Sequence, residues 1–235
     1  MNCRSQDLLA CPAIFKNDPF DQSGGAADRT RSDDTLNSVQ PAILFQKEVR
    51  SYAMGKIRTP LPVKLFIGML SPDASLFSTC RDILTREYGP LDLESDVLPW
   101  SNTEYYQEEM GPGIVRKFIF FAHTIDPMQL PGIKAMTNAV EESLMVDKGG
   151  RCRRSINLDP GYVTEAKVVL ATTKDFSHRL YIGTGVYAEV TLRYSLAART
   201  FTPFDHTYPD YRSEEYLSLF NNARSVLRSA LQRTR

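Results

Sequence analysis

Apolar residues recur with strand and helix periods from Pro62 onward. Val63–Leu70 reads VKLFIGML, a nearly continuous apolar run of strand length, and this pattern predicts a central strand that is buried on both faces. Ser71, Pro72 and Asp73 then supply an N-cap, a proline at the first helical position and an early acid. A helix is therefore predicted directly after the first strand.

Three more strand patterns and one more helix pattern complete a core. The strands are predicted at Leu91–Trp100, Ile114–Ile125 and Arg153–Asp159, and the helix is predicted at about Pro131–Val146. The order strand, helix, strand, strand, helix, strand is the split βαβ, or ferredoxin-like, arrangement. We therefore predict an α/β (α+β) fold, with a mixed, largely antiparallel sheet on a ferredoxin-like βαββαβ core.

The remaining segments add to this core. Asp159–Thr173 opens with Asp-Pro, which is a helix-start signal, and the segment is predicted to be a helix. His178–Tyr194 is predicted to be a hairpin around Gly183–Gly185, and Ser213–Gln232 is predicted to be the last helix. We therefore expect an extra C-terminal hairpin and helix beside the core.

The N-terminal part of the chain differs in composition. Ser, Asp, Gly, Asn and Gln dominate residues 17–40, and no strand or helix period is sustained before residue 60. We therefore predict a disordered extension over residues 1–59 and a single α/β domain over residues 60–235.

Composition and charge exclude several functional classes. Hydrophobic residues make up 42% and charged residues 24% of the 235 residues, as in an ordinary globular domain. Acidic and basic residues balance at 28 each, so any anion-binding site must arise from a local cluster of charges. The chain also lacks the excess of basic residues that is typical of nucleic-acid-binding proteins. The sequence shows no apolar stretch of membrane-spanning length and no signal-peptide pattern, so we expect a cytoplasmic protein without a membrane partner.

The common catalytic and cofactor motifs are absent from the sequence. It contains no phosphate-binding loop, no dinucleotide fingerprint, no H-E-x-x-H and no G-x-S-x-G. The four cysteines form no C-x-x-C pair, and no histidine completes a zinc spacing. Neither a metal site nor a disulfide framework is predicted, and no motif indicates a particular cofactor or oligomeric state.

Polar side chains cluster between residues 151 and 193. Strand alternation places them opposite the apolar face of the fourth strand and of the hairpin, and the intervening helix carries its two lysines in one line. Arg, Lys, Asn and Tyr beside a carboxylate suit a phosphate or carboxylate ligand, so we predict that these residues surround one concavity. The predicted anion site consists of Asn157, Asp159, Lys167, Lys174, Arg179, Tyr187, Glu189 and Arg193.

Glu189 and Asp159 are the acid/base candidates of this site, and the other six residues are candidates for ligand binding. The alternative is that half-exposed antiparallel strands carry an ordinary solvated face, on which Arg179 and Glu189 form a cross-strand ion pair. The segment 207–212, TYPDYR, also has two interpretations. Its aromatic rings stack on a ligand, or they hold the last helix on the sheet.

The chain resembles the bacterial domain of unknown function family 4416 in the runs PVKLFIGML, YGPLDLESDVLPW, TEYYQEEMG, RKFIFF, INLDPGYVTEAKVVLATTKDFSHRLYIGTGVYAEVTLRY and TYPDYRSEEY. The resemblance covers about Pro62–Asn222, which is essentially the whole predicted domain. It is most specific over the long run Ile156–Tyr194. By itself it implies no particular activity.

Two function hypotheses follow from the residues. The first is a site for a small anionic molecule, such as a nucleotide or a phosphorylated metabolite, on the polar face of the sheet. The second is a non-catalytic protein interaction module, and a nucleic-acid binder ranks third because the chain has no basic excess. A concave pocket would favour the first hypothesis, whereas a flat or apolar exposed patch would favour the second.

Overall fold

The computed structural model describes residues 55–100, 109–147, 150 and 152–233. The strands in these ranges are β1 (Val63–Ser71), β2 (Leu91–Glu94), β3 (Leu98–Pro99), β4 (Val115–Ile125), β5 (Val146–Asp147), β6 (Cys152–Arg153), β7 (Asn157–Val163), β8 (Lys167–Thr172), β9 (Leu180–Gly183), β10 (Val186–Ser195) and β11 (Thr200–Pro203). The helices are α1 (Ser75–Tyr88), α2 (Leu130–Ser143) and α3 (Glu214–Arg233), and short 3-10 turns cover Pro127–Gln129 and Pro209–Arg212. The predicted extension over residues 1–59 lies outside the described residues apart from residues 55–59, so the division into extension and domain stays a prediction.

The main sheet runs in the order β11, β10, β8, β7, β1, β4, β2, with β3 beside β4 and β9 beside β10. Every ladder described in this sheet is antiparallel. Strands β5 and β6 form a separate small ladder. The predicted α+β class with a largely antiparallel sheet is confirmed.

Strand β1 lies between β4 and β7, and all nine of its residues are buried, as the continuous apolar run predicted. Its side chains alternate between two cores. Leu65 and Ile67 pack with residues of α1 and α2 on one face, whereas Phe66 packs with Phe220 of α3 on the other. The sheet is therefore covered by helices on both faces near its centre.

Two strand boundaries differ from the predictions. Leu91–Trp100 forms the two short strands β2 and β3, because Ser95 between them bonds to the backbone of Phe118 through both its N–H and its hydroxyl oxygen. The strand predicted at Arg153–Asp159 begins only at Asn157. Its first residue, Arg153, instead pairs with Val146 of β5 in the small ladder.

The predicted helix over Asp159–Thr173 is wrong, because this segment forms most of β7 and all of β8 with a turn between them. Thr164 stabilises the turn, since its Oγ1 accepts hydrogen bonds from the backbone N–H groups of Ala166 and Lys167. The β-branched valines on both sides of the turn favour strand geometry. Their preference for strands outweighs the helix-start signal of the Asp-Pro pair.

Gly161 lies where β7 passes close to both neighbouring strands. A Cβ atom there would lie 2.3 Å from the backbone oxygen of Val169 and 2.6 Å from Cζ of Phe66. We expect Gly161→Ala to lower the free energy of unfolding by about 1–3 kcal/mol or more, because the strand backbone cannot move aside.

The matched control for this prediction is Gly132→Ala in α2, where no atom lies within 4 Å of the added Cβ. That change should raise the free energy of unfolding by roughly 0.5–1 kcal/mol, since alanine favours the helix. Urea unfolding of both variants checks the pair. A Gly161→Ala protein as stable as the wild type would contradict the close packing.

Candidate functional site

The sheet opens between β7 and β8. Only three residue pairs join these strands, and their ladder ends at Gly161 and Leu170. Beyond that point, side chains of α2 take the place of β8. The Leu158 N–H donates to Glu141 Oε1, and Lys134 Nζ donates to the Leu158 carbonyl oxygen at 2.9 Å.

Pro160 contributes to this opening. In an antiparallel strand, every second residue directs its backbone N–H and C=O groups toward the same neighbouring strand. The backbone of Pro160 is therefore directed to the same side as that of Leu158, which is the side of β8. Proline has no N–H, and β7 therefore offers no donor to β8 at this position. The missing donor and the two α2 side chains together explain why the strands separate here.

A cavity of about 340 Å³ occupies the opening, near the lower end of the roughly 300–1,000 Å³ that is usual for small-molecule sites. Its walls come from the central strands, from α2 and from the turn Pro209–Arg212. The basic side chains that line it are Arg116, Lys134, Arg154, Lys174 and Arg179. The acidic ones are Asp159, Glu189 and Asp210, and the larger aromatic ones are Trp100, Tyr208 and Tyr211.

Arg116 projects from β4 and is 4% exposed. Gly68 on the neighbouring strand makes room for it, since a Cβ atom at Gly68 would lie 2.8 Å from Arg116 Nη1. The guanidinium Nη2 donates to Asp210 Oδ2 at 3.1 Å, and Nη1 lies 3.8 Å from Asp159 Oδ2. One buried cation is therefore shared between two carboxylates.

The rest of the Arg116 guanidinium is packed against aromatic rings. Its carbon lies 5.3 Å from the ring centre of Phe118 and 5.8 Å from that of Tyr211. Its Nε and Nη1 atoms make no hydrogen bond to any described residue. Burial lowers the pKa of Arg116, but Tyr211, Asp210 and Asp159 raise it by more, so the group stays charged.

The two carboxylates beside Arg116 differ in what they offer the cavity. Asp210 is 7% exposed, and its Oδ2 also accepts from Trp100 Nε1 at 3.4 Å. Asp159 is 25% exposed, and its Oδ2 accepts from Asn157 Nδ2 at 2.6 Å. Within the described part of the chain, no hydrogen bond or ion pair uses Oδ1 of either residue.

The segment TYPDYR holds the last helix and also lines the cavity. The Tyr211 ring stacks on Phe220 of α3 at 5.7 Å and meets Phe118 at 5.8 Å between ring centres. Burial raises the pKa of Tyr211 well above its ordinary value, so its hydroxyl stays protonated. The contacts of the Tyr211 ring with Phe220 and Phe118 support the interpretation that this segment holds α3 on the sheet.

Glu189 anchors the opposite side of the cavity. It is 2% exposed, and its Oε2 accepts from Arg179 Nε at 2.8 Å and lies 3.1 Å from His178 Nε2. Arg179 Nη2 donates in turn to the Tyr208 hydroxyl at 2.7 Å. Burial lowers the pKa of Arg179, but its bond to Glu189 helps to raise it above the ordinary value. Arg179 is therefore held as a fixed cation.

Arg154 and α2 close the third side. The Arg154 guanidinium bonds to both Glu141 and Asn157, and its Nε donates to the Ile156 carbonyl oxygen at 3.1 Å. Burial raises the pKa of Glu141, although Lys134 and Arg154 oppose that shift. Glu141 thus joins the helix to β7 and orients a basic side chain that faces the cavity.

The structure brings five of the eight predicted site residues to one cavity, namely Asn157, Asp159, Lys174, Arg179 and Glu189. Lys167, Tyr187 and Arg193 are not part of its lining. Lys167 of β8 and Arg193 of β10 are opposite each other in the strand ladder, at the end of β8 that is away from the cavity. The Tyr187 ring packs against the Tyr181 ring at 5.5 Å between ring centres. In the strand that replaces the predicted helix, Lys167 lies at one end and Lys174 beyond the other, so the two lysines are not aligned as the helix predicted.

A register shift in β10 also changes the predicted alternation. The shift lies between Val190 and Leu192, and it places these two residues in different cores. Simple alternation along β10 would place Leu192 on the face of Val186 and Val190, but the shift moves it to the other core. Glu189 precedes the shift and keeps its predicted side, opposite Val190.

The basic residues of β4 and α2 were not among the predicted site residues. Arg116 lies two residues after Ile114 and two residues before Phe118, which is the spacing of side chains on the same face of a strand. Lys134 directly follows the core residue Ile133. A charged residue at a buried position of an otherwise apolar pattern was the available signal. Both residues are 5% exposed or less.

No group of three or more His, Cys, Asp and Glu side chains in the described ranges could hold a metal ion. Among the helices that the structure describes, none is long and apolar enough to cross a membrane.

The fold and the site together define an α+β domain with a cavity, lined by more basic than acidic side chains, where an antiparallel sheet opens. The chain belongs to the family described as Domain of unknown function (DUF4416), whose match covers residues 61–226 of the 235. This match confirms the family resemblance found in the sequence. No curated protein and no solved structure matches the chain.

Proposed function

We propose that the cavity binds a small anionic molecule, such as a nucleotide or a phosphorylated metabolite. The observation that carries this proposal is the lining charge. Five basic and three acidic side chains line the cavity, a local excess of two positive charges in a chain whose overall net charge is zero. In a recess partly shielded from water, such an excess attracts anions more strongly than it would on an open surface.

The basic groups are also positioned before any ligand arrives. Glu189 and Tyr208 fix Arg179 from two sides, and Glu141 fixes Arg154. Side chains that are already ordered lose less conformational entropy on binding. We assign Glu189 to holding Arg179 in place, because Arg179, His178 and Thr191 surround its two oxygens.

The interaction-module alternative is supported by a different surface. Leu180 and Tyr181 of the edge strand β9 are 74% and 62% exposed, and Phe176 in the segment before β9 is 63% exposed. Exposed apolar side chains at a sheet edge suit contact with another protein. This surface lies outside the cavity lining, so variants of the cavity test the two functions separately.

We expect Lys174→Ala to raise the Kd for a phosphate-bearing probe about tenfold, the effect of losing one charge-assisted hydrogen bond. Isothermal titration with inorganic phosphate, a sugar phosphate and a nucleoside monophosphate measures this change. The residue is exposed, so stability without ligand should change by less than about 0.5 kcal/mol.

Arg193→Ala is the control for this experiment. It removes the same charge from an exposed residue whose guanidinium lies over the Phe204 ring at 5.1 Å, outside the cavity lining. Its Kd should equal that of the wild type. Equal weakening by both variants would indicate a general charge effect, and no binding of any probe to the wild type would leave the interaction module ahead.

A further inference from the structure

We infer that the bound anion carries hydroxyl groups, and that Asp159 accepts a hydrogen bond from one of them. This inference rests on the proposed anion-binding function and names the ligand class within it. The ligand is a polyol phosphate or a hydroxylated carboxylic acid, in contrast to a bare anion or an alkyl phosphate.

The three carboxylates of the cavity are the starting point. Glu189 and Asp210 are 2% and 7% exposed, and their neighbours Arg179 and Arg116 neutralise them at 2.8 and 3.1 Å. Asp159 is different, since it is 25% exposed and lies 3.8 Å from its nearest cation. It is the carboxylate that a ligand can reach most easily.

The hydrogen bonds of Asp159 lead to the same conclusion. Asn157 Nδ2 donates to Oδ2 at 2.6 Å and Arg116 faces that same oxygen, which fixes the carboxylate in one orientation. Among the described residues, none donates to Oδ1. An ionised carboxylate only accepts hydrogen bonds, so the ligand atom that meets Oδ1 must be a donor.

A carboxylate in an anion site repels the anion unless the ligand offers it a donor. The alkyl part of a ligand would leave Oδ1 desolvated without a hydrogen bond, which is unfavourable. A hydroxyl group solves both problems, because it donates to Asp159 while its oxygen accepts from a nearby cation. Sites built in this way discriminate strongly against analogues that lack the hydroxyl.

The test compares pairs of probes that share an anion and a chain length. Glycerol phosphate is compared with propyl phosphate, and ribose phosphate with pentyl phosphate, by isothermal titration against the wild-type protein. We expect the hydroxylated member of at least one pair to bind about tenfold more tightly or better. This comparison needs no variant and therefore does not depend on the folding of one.

Asp159→Asn then assigns the acceptor. The variant should bind the hydroxylated probe about tenfold more weakly, and it should bind the alkyl phosphate as well as the wild type or better, because one negative charge has been removed. Asp175→Asn is the matched control, since Asp175 is exposed, adjoins Lys174 and is not part of the cavity lining. It removes the same charge and should leave the preference unchanged.

Each remaining outcome decides a separate point. Equal affinity for both members of every pair would overturn the inference and leave the proposed function standing. A hydroxyl preference that survives Asp159→Asn would also overturn it, because another residue would then accept the hydrogen bond. Failure of every probe to bind would overturn the proposed function as well.

Discussion

Replacing Phe66 by alanine should lower the free energy of unfolding by about 3–5 kcal/mol, the usual effect of removing a buried aromatic side chain. Phe66 is completely buried, and its ring centre lies 5.0 Å from Phe220, 5.6 Å from Phe120 and 6.3 Å from Phe118. These rings come from β4 and α3, so the substitution opens a space between the sheet and the last helix. Urea denaturation measures the change.

The matched control is Phe176→Ala, because Phe176 is 63% exposed. Its effect on stability should stay within about 0.5 kcal/mol. A loss of less than about 1 kcal/mol in Phe66→Ala would contradict the arrangement in which α3 covers this face of the sheet.

The elements with a clear apolar period were predictable from the sequence. Strand β1 and the three helices follow patterns that burial alone dictates, since a continuous apolar run needs cover on both faces and an amphipathic helix needs cover on one. Each of these elements lies within a few residues of its predicted position.

The segment Asp159–Thr173 was not predictable in the same way, because two local signals conflict in it. Its Asp-Pro pair is typical of a helix start, whereas its valines favour a strand. The proline fits β7 only because β8 leaves it at this point, and β8 can leave because Lys134 and Glu141 bind Leu158 from α2. These contacts join residues that are far apart in the sequence, so a local sequence pattern cannot predict them.

Residues of the candidate site could be predicted from the sequence only where they occupy polar positions in a strand pattern. Asp159 and Glu189 stand on polar positions of alternating strands, so both were predicted as site residues. Arg116 and Lys134 stand among apolar residues and contribute to the cavity because Gly68 and the opening in the sheet give their side chains room. The charge balance of the site therefore depends on tertiary contacts.

Replacing Arg116 by methionine should lower the free energy of unfolding by about 3–5 kcal/mol at neutral pH, the usual effect of removing one partner of a buried ion pair. The variant leaves Asp210, which is 7% exposed, without its cation at 3.1 Å. Asp159 loses the same counter-ion. Lys117→Met is the control, because Lys117 is the next residue of β4 and pairs with Glu94, which is 44% exposed. The loss of this ion pair should lower the free energy of unfolding by less than about 1 kcal/mol. Urea denaturation of the two variants at neutral pH measures both losses against the wild type.

The double variant Arg116→Met with Asp210→Asn separates the loss of the cation from the loss of packing. If the uncompensated carboxylate causes most of the lost stability, removing its charge should restore a large part of that stability at neutral pH. If the double variant is as unstable as the single one, the loss of the packing of Arg116 against Phe118 and Tyr211 causes the lost stability. The assignment of Arg116 as the counter-ion of the cavity carboxylates would then be wrong.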